Sequence, residues 1–356
     1  MLRFHTLTIA RIEPAADNAA WITLEVPERL RDAYRFIQGQ HINIQARIDG
    51  ETLRRSYSIV NSVAEGGLSI GIRRVEGGRF SVHANETLRP GDTLEVMTPT
   101  GQFHTPLDPA ARKTYLAFAA GAGITPILSM LKTTLAVEPR SSFVLFYGNR
   151  RRATTMFREQ LMDLKNRYID RFNIHFLFTR EPTDMPLFNG RIDAGKAREL
   201  IAAFRLAERV DECYVCGPDT MIDEVTAAAA AAGIAQEHIH LERFGIRRPR
   251  PEHAETPPAE APAAGAHSVT VIIDTVRRAF TMDREATVLD AAHAQGLDLP
   301  YSCKAGVCST CRTRLIEGEV EMDAHHALEP WELEAGYILA CQSHPVTERI
   351  VLDYDQ

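Results

Sequence analysis

The chain has 356 residues, 45% of them hydrophobic and 24% charged, with a net charge of -7, so it is long enough for two or three domains that each bury a core. The slight acidic excess supplies no basic face for a nucleic-acid backbone. No apolar run approaches the length that crosses a bilayer, and the N-terminal MLRFHTLTIARIEP alternates polar with apolar instead of carrying a leader's apolar segment, so neither a nucleic acid nor a membrane is expected as a partner. The chain reads as cytoplasmic, where its six cysteines are expected as reduced ligands or catalytic groups, not disulfides.

Residues 1–106 read as short alternating strands, HTLTIARIE, AAWITLEVP, GQHINIQARI, RSYSIVNS, LSIGIRRV and DTLEVMTPTG, separated by Gly and Pro turns, which predicts an antiparallel barrel or sandwich. From 107 to 244 the pattern becomes strand then helix, repeated: YLAFAA, PILSMLKTTL, SFVLFYGN, FREQLMDLKNRY, NIHFLFT, AGKARELIAAF, ECYVCGP, TMIDEVTAAAAAAG. That alternation predicts a parallel α/β sheet. Residues 245–267, rich in Pro, Ala and charge, read as a linker. Residues 268–356 then form a small domain. From Ser268 onward there are 7 Lys and Arg against 15 Asp and Glu, a net of -8, which leaves +1 upstream. The acidity of the chain belongs to its C-terminal domain.

Three elements carry chemistry. Cys303, Cys308 and Cys311 in CKAGVCSTC, followed by Cys341 in YILACQ, are separated by four, two and twenty-nine residues. This is the C-x4-C-x2-C spacing with a distant fourth cysteine that holds a [2Fe-2S] cluster through four thiolates. A structural zinc site would use two short paired knuckles, and only one pair here has that spacing. The small residues Ala305, Gly306, Ser309 and Thr310 leave backbone N–H groups free to approach the sulfurs. In AAGAGITPI (119–127), Gly121 and Gly123 let backbone approach a phosphate, Thr125 is placed to cap a helix and Pro126 suits its first turn; Pro126 stands where the dinucleotide fingerprint has its third glycine. Cys213 and Cys216 are three apart on a strand and so point to opposite faces, which argues against a redox C-x-x-C pair.

The glycine loop taken with RRSYSI (54–59) resembles the ferredoxin–NADP reductase family over residues 1 to about 244, and the resemblance implies roles for this chain's residues. Arg55 pairs with the phosphates of FAD, the Tyr57 ring packs on the isoalloxazine and Ser58 hydrogen-bonds its polar edge. Gly78 and Ser81 in GGRFS form a second phosphate-binding turn. Cys216, with Gly217 and Pro218 in CGPDTM, lies beside the nicotinamide during hydride transfer, and Thr179 and Arg180 in FTREP contact the 2'-phosphate of NADPH. Glu242 and Phe244 in LERF resemble the acidic and aromatic residues that end the module. The order flavin domain, nucleotide domain, linker, plant-type ferredoxin is similar to that of reductase components of bacterial multicomponent oxygenases. This implies an oxygenase as partner: a di-iron epoxidase, another ring or side-chain oxygenase, or a steroid hydroxylase. A bare iron–sulfur binding module would need broken flavin or nucleotide motifs. The expected fold is multidomain: an antiparallel β-barrel flavin domain, an α/β parallel-sheet nucleotide domain and a β-grasp ferredoxin domain.

Overall fold

The structure, a computed structural model, describes residues 4–244, 267–273 and 276–356. The chain separates into two compact units, one ending at Arg243 and the other running from Phe244 to Gln356. The linker expected at 245–267 lies outside the described residues, except for His267, which opens a strand. Among the described residues no helix is long and apolar enough to cross a membrane.

The first unit begins with β1 (Phe4–Ala16), β2 (Ala19–Glu25), β3 (His41–Ile48), β4 (Glu51–Ser58), β5 (Leu68–Arg73), α1 (Arg79–Glu86) and β6 (Thr93–Met97). The strands pair antiparallel in the order β4-β3-β6-β1-β2-β5. Period-two patterning explains it: Ile22 and Leu24, Ile42 and Ile44, Ile70 and Ile72, Leu94 and Val96 all enter one core cluster, which alternating residues of a strand achieve by facing one side. The outer strands β4 and β5 meet at the isolated bridge Ile59–Ile70, where neighbours elsewhere form ladders. The strand expected at 55–62 runs instead from Glu51 to Ser58. Asp49 and Gly50, at φ 52 and 83, make the tight Asp-Gly turn that matches strand twist. That turn starts β4 four residues early and pairs His41 with Ser58.

The unit continues with β7 (Thr114–Ala120), α2 (Ile124–Val137), β8 (Ser142–Asn149), α3 (Arg158–Arg167), β9 (Phe172–Phe178), α4 (Ala194–Ala203), β10 (Glu212–Cys216), α5 (Asp219–Ala231) and β11 (Ile239–Glu242). All five strands are parallel, in the order β11-β10-β7-β8-β9. Their continuous apolar runs follow from burial on both faces. One cluster includes Tyr115, Leu128, Leu161 and Cys216, and the other Leu116, Leu200, Val225 and Cys213. The two cysteines therefore do face opposite sides of the sheet. The order reverses between β7 and β10, the switch point outside which open parallel sheets bind ligands. The antiparallel and parallel sheets share a core, since Ala15, Val60 and Phe103 join the Leu128 cluster. Ser129 Oγ donates to Asn61 O at 2.6 Å across the same boundary.

The second unit holds β12 (His267–Ile273), β13 (Val276–Met282), α6 (Val288–Ala294), β14 (Arg312–Glu317), β15 (Val320–Met322), α7 (Pro330–Glu334), β16 (Tyr337–Leu339), β17 (Ser343–Pro345) and β18 (Arg349–Asp353). Five strands pair in the order β13-β12-β18-β14-β16, with β12 and β18 parallel, and β15 pairs with β17. Val288, Leu289 and Ala292 of α6 pack with Val269, Val271, Ile350 and Leu352 of the sheet. The Thr287 hydroxyl caps α6 by accepting from Asp290 N at 3.2 Å, as a threonine before an apolar run is suited to do.

Candidate functional site

On β4, alternation turns Arg54 and Arg55 to opposite sides. Arg54 is buried, its Nε donating to Gln45 Oε1 at 2.6 Å, while Arg55 is exposed. Tyr57, two residues on, lies with its ring 5.5 Å from that of Phe80 at 33°. Ser58 is buried and its Oγ has no hydrogen-bond partner among the described residues. An orphaned buried hydroxyl costs stability unless a ligand completes it, so Ser58 suits a group such as the polar edge of a flavin. Gly78 precedes α1 in extended conformation without a side-chain cap, so the first-turn N–H groups remain available to an anion. A Cβ on Gly78 would lie 2.5 Å from Ser81 Oγ. Ser81 is committed to this turn: its hydroxyl accepts from Val75 N and donates to Gly78 O, both at 3.1 Å.

The loops after β7 and β10 meet at the switch point, backbone against backbone. A Cβ on Gly123 would fall 2.1 Å from Cys216 O, and one on Gly217 would fall 2.9 Å from Met221 Cε. Gly121 takes φ 56. The expected capping by Thr125 is corrected: α2 starts at Ile124, two residues earlier than that cap implies, with Gly123 before it, so Thr125 is already helical and donates its hydroxyl to Ala122 O at 2.9 Å. Pro126 does lie in the first turn. Pro218 immediately precedes α5, in extended conformation.

Cys216 is fully buried, and burial with the nearby Glu242 charge pushes its thiol well above the ordinary range. It is therefore held as a neutral thiol, neither nucleophile nor base. Parallel pairing sets Glu242 beside it. The Glu242 carboxylate lies 3.9 Å from His41 Nδ1, both side chains being nearly buried, and His41 is the cross-strand partner of Ser58. The sequence motifs at 55–58, 216–218 and 242 are thus brought to one place through a histidine that sequence reasoning did not single out.

Arg73 was also missed. It ends β5, half-buried, and burial lowers the affinity of its guanidinium for its proton. A Cβ on Gly121 would lie 2.5 Å from its Nη1. It pairs with no carboxylate among the described residues, so a cation is buried against the glycine loop and an anion is called for. Only the Arg at the end of a strand, with no acidic residue at cross-strand spacing, hints at this in the sequence. Thr179 and Arg180 are exposed just beyond β9, where their N–H groups donate to Asn149 O and Arg150 O at 3.1 and 3.0 Å and set Arg180 beside Arg150. Phe244, the last described residue before the connecting segment, is 48% exposed.

In the second unit the cysteine loop folds by placing Lys304, Gly306 and Ser309 at positive φ, 53, 72 and 49. A Cβ on Gly306 would lie 2.9 Å from Ala324 O, so glycine is required there. Backbone and amide N–H groups turn toward sulfur: Ala305 N to Cys303 Sγ at 3.3 Å, Cys303 N to Cys308 Sγ at 3.5 Å, Gln342 Nε2 to Cys341 Sγ at 3.6 Å. The four thiols pair two and two. Cys303 is hydrogen-bonded with Cys308 and Cys311 with Cys341, so within each pair one thiol gives up its proton more readily than its partner. Among the described residues no three ligating side chains surround one point at single-ion distance. Two pairs in one N–H-lined loop fit a two-iron cluster with two cysteines on each iron; a mononuclear zinc site needs four sulfurs about one ion at ~2.3 Å.

A buried, unpartnered Ser58 hydroxyl joined through His41 and Glu242 to the switch point of a parallel sheet, with a two-plus-two cysteine loop in a second unit, fits an NAD(P)H-dependent flavin and iron–sulfur oxidoreductase. Known families agree: the oxidoreductase FAD-binding domain matches residues 6–105, the oxidoreductase NAD-binding domain 118–227 and the 2Fe-2S iron-sulfur cluster binding domain 271–346. The chain is 43% identical over 356 residues, 100% of itself and 99% of the relative, to a subunit of the 1,2-phenylacetyl-CoA epoxidase of Escherichia coli (strain K12). It is 31% identical to the 3-ketosteroid-9-alpha-monooxygenase ferredoxin reductase component of Rhodococcus rhodochrous, over 97% of this chain and 95% of that one. The chain belongs to this family of FAD- and [2Fe-2S]-containing reductases. Phthalate dioxygenase reductase shares the fold, with a TM-score of 0.61 at 24% identity and 98% coverage of both chains.

Proposed function

We propose that the chain passes electrons from NADPH through FAD and a [2Fe-2S] cluster to an oxygenase component, that of phenylacetyl-CoA epoxidation. The observation that carries the reading is the contact of His41 with Glu242, which joins the Ser58 strand to the Cys216 strand at the switch point. When bound, the flavin accepts a hydride and releases electrons singly, which a cluster can relay. The protein's own residues do the orienting. Tyr57 and Ser58 present a ring face and a buried hydroxyl, and Gly78 with the start of α1 offers N–H groups to phosphate. Gly123 and Gly217 let the loops after β7 and β10 close on each other, and the turn at Gly121 offers backbone to a dinucleotide with Arg73 supplying positive charge. Cys216 stays neutral and excludes water from the place where the nicotinamide and flavin meet.

The family boundaries support domains over 1–106, 107–244 and 268–356. The Ile59–Ile70 contact supports a barrel for the first sheet, and α6 packed on a mixed sheet supports a β-grasp fold for the last domain. The whole-chain similarity to the epoxidase protein supports that oxygenase over a steroid hydroxylase, whose reductase is less similar. The test mixes the purified protein, NADPH and the purified epoxidase oxygenase component with phenylacetyl-CoA. Oxygen-dependent loss of the thioester substrate is expected, and none, with the protein fully reduced, would reject the assignment.

Arg180, exposed beside Arg150, is placed to bind the 2'-phosphate. A charge-assisted bond of this kind is worth ~1.5–3 kcal/mol, or roughly ten- to a hundredfold. Arg180→Ala is therefore expected to raise the apparent KM for NADPH by about tenfold or more and leave that for NADH unchanged. Equal effects on both cofactors in steady-state assays would remove Arg180 from that role.

A further inference from the structure

In the second unit α7 exposes a large aromatic side chain. Trp331 on α7 is 58% exposed. Residues 315–348 around it contain eight Asp and Glu and not one Lys or Arg. Of these, Glu329 and Glu334, two residues before and three after Trp331, are exposed, so the indole is flanked in the chain by acidic charge, while Arg312 and Arg314 are already engaged by Glu332 and by Ala335 O. A solitary exposed aromatic needs no explanation by itself. What distinguishes this one is how firmly it is held.

Glu332, next in sequence, is fully buried and binds the guanidinium of Arg312. Its other oxygen accepts from Glu329 N at 2.9 Å, completing a capping box for α7. Arg312 directly follows the ligand Cys311, and its guanidinium lies 4.7 Å over the Tyr337 ring. The Trp331 ring meets Tyr337 edge-on, with centroids 6.3 Å apart. Two side-chain contacts thus connect the exposed indole to the residue beside Cys311, and the salt bridge of the buried Glu332 carboxylate with the half-buried Arg312 fixes the helix that presents it. A side chain ordered before binding loses little entropy on docking, and a rigid aromatic rimmed by polar groups is the usual anatomy of a binding hot spot.

We infer that the Trp331 face of the second unit is where the external electron acceptor docks, through an apolar pocket on the acceptor bordered by Lys and Arg. The inference rests on the functional reading above. Two observations select the acceptor over the chain's own first unit. Residues 1–267 carry a net charge of only +1 against -8 for 268–356, so the first unit offers little overall complementarity. The first unit is also joined covalently, which keeps its effective concentration on the order of mM without any hot spot. A separate protein has no such tether and gains most from an anchoring aromatic with steering charge.

The test uses full-length holoprotein with Trp331→Ala and Trp331→Phe, each checked for unchanged flavin and cluster absorbance. NADPH-driven turnover is measured against rising concentrations of the epoxidase oxygenase component, and reduction of the protein's own cluster by rapid mixing. For Trp331→Ala the KM for the oxygenase component is expected to rise by roughly thirtyfold, the factor for a 2 kcal/mol hot spot, with kcat and internal cluster reduction unchanged. Trp331→Phe should recover most of the loss, and Glu329→Gln with Glu334→Gln should flatten the fall of turnover with added salt. An unchanged KM in Trp331→Ala overturns the docking assignment alone. Slowed reduction of the protein's own cluster also overturns it, giving the face to the first unit. A wild-type protein that drives no oxygenase turnover rejects the functional reading, and the docking assignment with it.

Discussion

Replacing Gly123 with alanine is expected to cut the rate of flavin reduction by NADPH about a hundredfold while leaving both cofactors bound, a loss of the size produced when reacting groups are misplaced by about 1 Å. The added methyl would sit 2.1 Å from Cys216 O, 2.5 Å from its carbonyl carbon and 3.0 Å from Gly217 N. All three neighbours are backbone, so no flexible side chain can swing away, and the loop after β10 must retreat. Cys216 is the last residue of β10, where that loop begins, and it is paired with Glu242 in the β10–β11 register. The displacement therefore lands on the pair that faces His41. Flavin binding is spared because the residues assigned to it lie on β4 and at the start of α1, outside this contact. Overpacking of this kind also costs ~1–3 kcal/mol of stability, visible as a lower melting temperature. Rapid-mixing absorbance decides the matter: a rate within threefold of wild type would mean that β10 yields freely and that the glycine is not needed for close approach.

What could be read in the chain, and what could not, divides by distance along the sequence. The cluster cysteines were legible because three of four ligands lie within nine residues and their spacing is fixed by the group they wrap. The parallel sheet was legible because its central strands are buried on both faces and so are mostly apolar, as FVLFY shows in β8. His41 was not. Its significance comes from Glu242, two hundred residues away in the chain and 3.9 Å away in space, and nothing near His41 announces it. Arg73 was hidden for the same reason: it is unremarkable on β5 until Gly121 arrives against its guanidinium. The start of β4 is a different case, since Asp49-Gly50 is a strong hairpin signal that places the strand boundary at Glu51. Thr125 shows the limit of cap reading. A threonine before an apolar helix normally caps it, but the tight turn through Gly121 and Gly123 winds the chain into helix two residues sooner.

Changing Cys308 to alanine is expected to abolish the iron–sulfur cluster and all oxygenase turnover, yet leave NADPH-driven reduction of the flavin at its wild-type rate. Cys308 is 6% exposed and lies at the centre of the loop, 3.5 Å from Cys303 N and 3.2 Å from Thr310 Oγ1. Its loss leaves Cys303 without its partner, so one of the two cysteine pairs no longer exists. Iron analysis should fall from about two atoms per chain, the content of a [2Fe-2S] site, to none, and the acid-labile sulfide should vanish with it. Because metal ligation contributes folding energy, the second unit should also become easier to unfold. The first unit has its own core and holds Arg55, Tyr57, Ser58, Gly78 and Ser81, the residues assigned to FAD, so flavin content and the reduction of a small artificial acceptor such as ferricyanide should persist. Two results would count against this. Zinc without labile sulfide in the wild-type protein would remove the two-iron assignment. Loss of flavin together with the cluster in the variant would show that the two units do not fold independently, and the separation of electron entry from electron exit would have to be given up.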